Sequence, residues 1–287
     1  MITVGKYWKE KFGEKVYRVC IDGGFTCPTR DGTKGIGGCY FCDEESSRAK
    51  YIEPEDSIER QLEKGILRLK EKGVKKFIAY FQSYTNTYAK VDVLREKYFK
   101  ALNHPEVVGI SISTRPDCID EEIVKLLDEI SKRYYTIVEL GIQSMHDKTL
   151  EFIGRKHTSM DSIRALKLLK RCENLEIVAH VILGLPGETK EDMMETGRIL
   201  SKLGIDGLKL HHLYIVKGTP FFEEFKKGNI KVFERPEDYA KVAKDFLSNF
   251  SKDIVIHRFA GYSSSFRLVA PSWTSERSIA KKLIIGN

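Results

Sequence analysis

Residues 22–42 read Asp-Gly-Gly-Phe-Thr-Cys-Pro-Thr-Arg-Asp-Gly-Thr-Lys-Gly-Ile-Gly-Gly-Cys-Tyr-Phe-Cys, placing Cys27, Cys39 and Cys42 in a C-x11-C-x2-C pattern among six glycines. Three thiolates in one loop can converge on a metal centre and leave a further coordination position open for a reactant. Glycine tolerates the unusual backbone angles and close approach that wrapping a bulky inorganic group demands. Main-chain amides exposed in such a loop can donate to cluster sulfurs and tune their potential. A C-x2-C pair alone is shared by zinc ribbons, thioredoxin-like redox pairs and iron–sulfur sites. The third cysteine upstream, the crowded glycines and the aromatic Phe41 before the last cysteine favour iron–sulfur ligands, with zinc as the competing occupant.

The loop starts where an apolar run, 15–22, ends, and six more runs rich in Val, Ile, Phe and Tyr follow at 76–83, 108–115, 136–144, 176–184, 207–216 and 254–260. These read as strands. Segments of helical period lie between most of them. One spans 120–133, with Asp120 as its cap and Ile123, Val124, Leu126, Leu127 and Ile130 on one face. A second starts at Thr189, and Pro236 suits the first turn of a third. Such alternation implies parallel strands joined by crossovers.

Side chains two apart on a strand share a face. By that rule Tyr80 and Gln82, then Ser111, Ser113 and Arg115, then Glu139 and Gln143, then His180, then Lys209 and His211 line one face of successive strands. A shared polar face suggests a lumen, although individually satisfied core groups would give the same pattern. Adjacent His211 and His212 cannot both point inward. The expected fold is α/β: a partial or near-complete (β/α)6 TIM-like barrel with N- and C-terminal extensions. The chain is expected to form one domain, 1–287, with its barrel core over about 15–216 and an extension over about 217–287.

No stretch reaches the ~18 consecutive apolar residues of a membrane span, and the first ten residues lack the apolar core of a signal peptide. The expectation is a cytoplasmic protein with no membrane partner, where disulfides are disfavoured and clustered cysteines are ligands or catalysts. Cys118 and Cys172 stand apart and read as small apolar filler. Cys20 could close a four-cysteine site, but it falls within the first strand pattern, so its loss is expected to leave the metal in place. Charged residues make up 31% of the chain, above the ~25% of ordinary soluble proteins. The net charge of +7 permits a polyanionic partner without requiring one.

The three-cysteine loop, ending in Cys-x-aromatic-Cys, resembles that of the radical S-adenosylmethionine (SAM) superfamily, and most closely its YhcC-like members. Those share Gly-Gly-Phe-Thr-Cys-Pro-x-Arg-Asp-Gly-Thr and the eleven-residue spacing, in place of the commoner C-x3-C-x2-C. Ser-Thr-Arg-Pro-Asp (113–117), Glu-Leu-Gly-Ile-Gln-Ser (139–144), Gly-Arg-Lys-His-Thr (154–158) and Leu-Gly-Leu-Pro-Gly-Glu-Thr (183–189) also look familial and are similar to Elongator-type enzymes. The likeness runs from about residue 8 to about residue 275.

The resemblance implies that Cys27, Cys39 and Cys42 hold three irons of a 4Fe-4S cluster whose fourth iron binds SAM. Reductive cleavage of SAM would then give a 5'-deoxyadenosyl radical that removes hydrogen from a substrate. Relatives place a Gly-Gly-Glu-like loop for the SAM amino group after the second strand, where this chain has Gln82, Ser83, Tyr84, Thr85 and Asn86 instead. By the same resemblance, Glu139 and Gln143 would contact the ribose and Arg155 the SAM carboxylate. Gly184 and Leu185 would begin an adenine shelf, and Phe41 and Ser113 are counted among the cofactor contacts.

The 184–187 turn lacks the lysine and spacing of a P-loop, which excludes that class of ATPase. YhcC-like and Elongator-like relatives point to tRNA and its wobble uridine, with an electron donor such as flavodoxin or ferredoxin. Phe266, Arg267, Trp273, Arg277, Lys281 and Lys282 form a basic, aromatic tail compatible with RNA. The alternatives are a radical SAM enzyme acting on a small molecule and a non-enzymatic zinc-containing nucleic-acid-binding protein.

Overall fold

The computed structural model describes residues 1–43, 48–53, 55–263 and 266–286. Its strands are β1 (Ile2–Thr3), β2 (Val16–Ile21), β3 (Lys76–Phe81), β4 (Val107–Thr114), β5 (Tyr135–Gln143), β6 (Leu175–Leu183), β7 (Gly207–His212), β8 (Ile215–Val216), β9 (Val255–Arg258) and β10 (Leu268–Ala270). Helices α1 (Val4–Phe12), α2 (Ile58–Lys70), α3 (Val91–Leu102), α4 (Glu121–Ser131), α5 (Asp147–Phe152), α6 (Ser159–Leu169), α7 (Lys190–Lys202), α8 (Pro220–Lys226), α9 (Pro236–Leu247) and α10 (Ile279–Ile285) accompany them.

Eight strands form one sheet in the order β1-β9-β7-β6-β5-β4-β3-β2, and every pairing in it is parallel. The sheet curls into a partial TIM barrel, as the alternating pattern predicts. Two of its strands, β1 and β9, come from outside residues 15–216. The run at 207–216 is not one strand: the chain leaves the sheet after His212, and Ile215–Val216 pairs antiparallel with β10 instead. Side chains bridge the gap that backbone pairing leaves open. Arg18 of β2 reaches His257 of β9, with Nη2 2.6 Å from Nδ1, although these strands lie at or near opposite ends of the sheet order.

The helices form where the sequence places their caps. Asp120 accepts from the Ile123 amide at 2.9 Å, and Thr189 and Asp192 make a reciprocal capping box. Each such cap contributes about 1 kcal/mol. Apolar helix faces pack on the outside of the sheet and form the main core, including Leu62, Leu94, Tyr98, Leu127, Leu166 and Phe246. At the N-terminal ends of the strands, Trp8 of α1 packs against Val16, Ile78, Ile137 and Val178 and plugs the barrel floor. The C-terminal ends remain for long connections, including 22–57 with the three cysteines, and active sites of such folds lie at that end.

Candidate functional site

The cysteine loop is fastened across the top of the lumen. The Tyr40 amide donates to Ile153 O at 3.0 Å, and the Phe221 amide donates to Tyr40 O at 3.1 Å. Gly154, with φ +70°, leaves room for the Tyr40 ring, which would lie 2.9 Å from a Cβ there. Phe41 is half-buried against the apolar cluster of Ile153, Ile182, Leu185 and Phe221. Cys39 is buried. Cys27 shares a hydrogen bond of 3.0 Å with Thr85 Oγ1.

The thiols also feel one another. Burial first, and then the charge of Cys39, pushes up the Cys27 thiol, with Thr85, Arg115 and Arg155 pulling the other way. Cys42 is accessible at the loop's rim but crowded by protein elsewhere, and that desolvation, then Cys39, raises its pKa. Two guanidiniums point at the central sulfur: Arg155 Nη1 lies 3.5 Å from Cys39 Sγ and Arg115 Nη1 4.0 Å. A metal-bound thiolate at Cys39 would accept from both guanidiniums.

Arg155 is held by the Gly141 carbonyl at 2.5 Å, and Arg115 by Arg155 O at 2.6 Å and a two-pronged pair with Asp117 at 2.9 Å. Burial alone would raise the Asp117 carboxyl, but Arg115 and then Lys34 bring it down to about 2. Gln143 ends β5 in a left-handed conformation, φ 69°, unusual for a residue with a side chain. Its amide lies beside Arg155, since a Cβ on Gly141 would meet Gln143 Nε2 at 2.9 Å and Arg155 Nη2 at 3.1 Å. Gln143 Oε1 and Arg155 Nε are buried without a partner among the described residues, as are both ring nitrogens of His157. Burial, then Arg155 and Arg115, lowers the His157 pKa to about 2, so the ring is neutral.

The loop after β3 knits the cysteine loop to β4. Asn86 Nδ2 donates to Phe81 O at 3.1 Å and Ser113 O at 2.8 Å, leaving its buried Oδ1 without a partner among the described residues. Tyr84 has φ 63°, with the Arg30 guanidinium 5.9 Å from its ring, and Ser83 is buried. Gln82 accepts from the Cys20 thiol at 3.1 Å inside the lumen. Cys20 thus faces inward from β2, away from the three ligand candidates. On the far side, Gly184 has φ +81° and its amide contacts Met193 Sδ at 3.2 Å, which presents Leu185 to the cluster around Phe41.

Ser113 and Glu139 lie one layer lower. Glu139 Oε2 accepts from Lys209 at 2.7 Å, Tyr80 at 2.6 Å and Ser113 at 3.0 Å, while Arg18 lies 2.6 Å from Oε1. Burial would raise the Glu139 pKa, but Arg18 and Lys209 hold it well below the usual carboxylate range. Burial also lowers Lys209, to about 8 against the opposing pull of Glu139. His180 and His211 pack in a tilted pair with ring centres 4.2 Å apart, and Arg258 Nη1 lies 2.8 Å from His211 Nε2. His212 points the other way, onto Trp273 and Thr274.

The structure therefore brings Cys39, Arg155 and Gln143 together, Phe41 with Leu185, and Cys27 with the 82–86 loop. It does not place Glu139 beside them, because that carboxylate sits in the ionic layer below. Arg18, His257 and Arg258 belong to that layer but were not anticipated from the sequence; the parity rule applied to Arg18 and Cys20 would have found the first. Trp273, expected in an RNA-compatible tail, is buried. The top of the lumen fits an iron–sulfur cluster: three thiols in one electrostatic environment, cations aimed at the central sulfur, and buried polar atoms with no partner among the described residues.

A family model described as the radical SAM superfamily matches residues 33–200, and a radical SAM C-terminal domain model matches 205–284. Protein YhcC of Escherichia coli is 36% identical over 93% of this chain and 85% of its own. A tRNA uridine(34) acetyltransferase of Methanocaldococcus jannaschii is 34% identical over 53% of this chain and 28% of its own length. Among solved structures, Methanocaldococcus infernus Elp3 with an N-terminal deletion aligns with a TM-score of 0.65 at 20% identity, covering 86% of this chain and 57% of that one.

Proposed function

The chain belongs to the radical SAM superfamily, and from that premise we propose that it modifies a uridine of tRNA, with the wobble position as the first candidate. Superfamily enzymes bind a 4Fe-4S cluster and SAM, and the bound pair supplies the electron transfer that cleaves SAM. In this reading Cys27, Cys39 and Cys42 hold the cluster, Arg155 and Gln143 hold the polar end of SAM, and Phe41 and Leu185 form an apolar wall. The loops over the lumen exclude water from the reacting centre.

The observation that carries the RNA reading is Phe266, 89% exposed. Its neighbour Arg267 pairs with Asp43 at 2.9 Å, next to Cys42. An exposed aromatic beside an arginine suits stacking on an unpaired base. The likeness to tRNA uridine(34) acetyltransferases over half the chain supports the same class. An electron donor such as flavodoxin or ferredoxin completes the proposal. No helix among the described residues is long and apolar enough to cross a membrane.

Anaerobic turnover with SAM and reductant, with and without bulk tRNA, tests the reading. We expect tRNA to increase 5'-deoxyadenosine release and to gain a new nucleoside mass, with both effects weakened in Phe266→Ala. Release indifferent to tRNA, with unaltered nucleosides, would rule tRNA out.

A further inference from the structure

The ionic layer in the lumen is out of balance. Arg18, Lys209 and Arg258 bring positive charge to it, and Glu139 is its one carboxylate among the described residues. Cys20, on the same face, feels all four charges. Glu139 Oε2 accepts from Lys209, Tyr80 and Ser113, while Oε1 is paired with Arg18 by charge alone and accepts no hydrogen bond among the described residues. Arg258 contacts a ring nitrogen of His211 and has no carboxylate partner among the described residues. Because that nitrogen must accept from the guanidinium, His211 is neutral and presents an N–H at its other nitrogen. Ser111 Oγ and His180 Nε2 are also buried without partners among the described residues. Register places Ser111 beside Tyr80, and His180 beside Lys209, on the lumen face.

Arg258 is partly buried and Lys209 buried; cations withdrawn from water and short of counter-charge are unfavourable, and an anion delivered from outside would remove the deficit. We propose that this layer is a subsite for an anionic group of the substrate, a carboxylate or a phosphate, held by Arg258 with His180, His211 and Lys209 around it. Glu139 stands two residues before Gly141, whose carbonyl holds Arg155, so the layer lies about 7 Å beneath the cysteine-loop contacts. At that depth the subsite anchors substrate rather than SAM. The inference rests on the lumen being the active site, but it does not depend on the substrate being RNA.

Equilibrium dialysis of the cluster-loaded protein, without reductant, against labelled inorganic phosphate and labelled acetate at fixed ionic strength tests it. One anion is expected to saturate at about one per chain with SAM present. Phosphate would mark a nucleotide substrate and acetate a carboxylate one. Arg258→Gln should weaken binding about tenfold or more, Arg258→Lys should restore most of it, and Arg198→Gln, on the exposed face of α7, should change nothing. Saturation of neither anion overturns the proposal, as does wild-type affinity in a folded Arg258→Gln protein. Competitive displacement by SAM also overturns it, since the site would then be the cofactor's own. The wild-type arms decide even if the glutamine variant fails to fold. Phosphate binding without tRNA-dependent turnover would retain this subsite and reject the RNA reading.

Discussion

Replacing Glu139 by glutamine keeps the shape of the residue at the centre of the ionic layer and removes its charge. Arg18 and Lys209, 2.6 and 2.7 Å away, would then face each other and Arg258 without a counter-ion. Breaking a buried ion pair from one side costs about 3–5 kcal/mol. At about 2–4 °C per kcal/mol for a chain somewhat smaller than this, the melting temperature should fall by about 6–20 °C. The loss should depend on pH. Folded Lys209 has its pKa lowered to about 8 from 10.5, so between those values the unfolded chain binds the extra proton and stability from this group rises with pH. Without Glu139 to favour the ammonium, that proton leaves at lower pH. The wild-type advantage should therefore narrow between pH 7 and pH 9. Urea denaturation followed by circular dichroism at both pH values measures it. A variant within about 1 kcal/mol of wild type at pH 7, or an advantage that widens toward pH 9, would refute the ionic layer as described.

Two further outcomes follow from the upper layer. Gly154→Ala puts a Cβ at φ +70°, 2.9 Å from the Tyr40 ring, and should cost about 1–2 kcal/mol while loosening the cysteine loop. Reduced iron retention through anaerobic gel filtration would register it. Asp117, held near 2 against an ordinary 3.8, should stabilise the metal-free fold by about 2 kcal/mol above pH 4, a contribution lost as pH falls through 2. Asp117→Asn should flatten that part of the acid profile, measured as the urea midpoint from pH 5 to pH 2.

Parity along the strands made most of the lumen legible. Tyr80, Ser111, Ser113, Glu139, His180 and Lys209 lie on one face because parallel pairing keeps partners on the same side of the sheet. Arg18 shares the parity of Cys20 on β2, a signal that counts only once Cys20 is placed in the lumen, because Tyr17 on the other face is exposed. The role of Glu139 depends on cations from β2 and β7, strands far apart in sequence, and no local pattern announces that meeting. Trp273 reads as a surface aromatic among arginines and lysines, yet it stacks on His212 with centroids 3.9 Å apart and donates to Phe233 O at 2.7 Å. Nor does a glutamine signal a left-handed backbone, so the turn of Gln143 toward Arg155 appears only in the fold.

Anaerobic reconstitution with iron, sulfide, SAM and a reductant, comparing wild type with Cys27→Ala and Cys20→Ala, tests the three-cysteine centre most directly. Wild type and Cys20→Ala should be brown, hold a four-iron cluster and release 5'-deoxyadenosine and methionine, while Cys27→Ala should do neither. A colourless, zinc-containing wild-type protein that leaves SAM intact would contradict this, as would loss of iron on removing Cys20 but not Cys27.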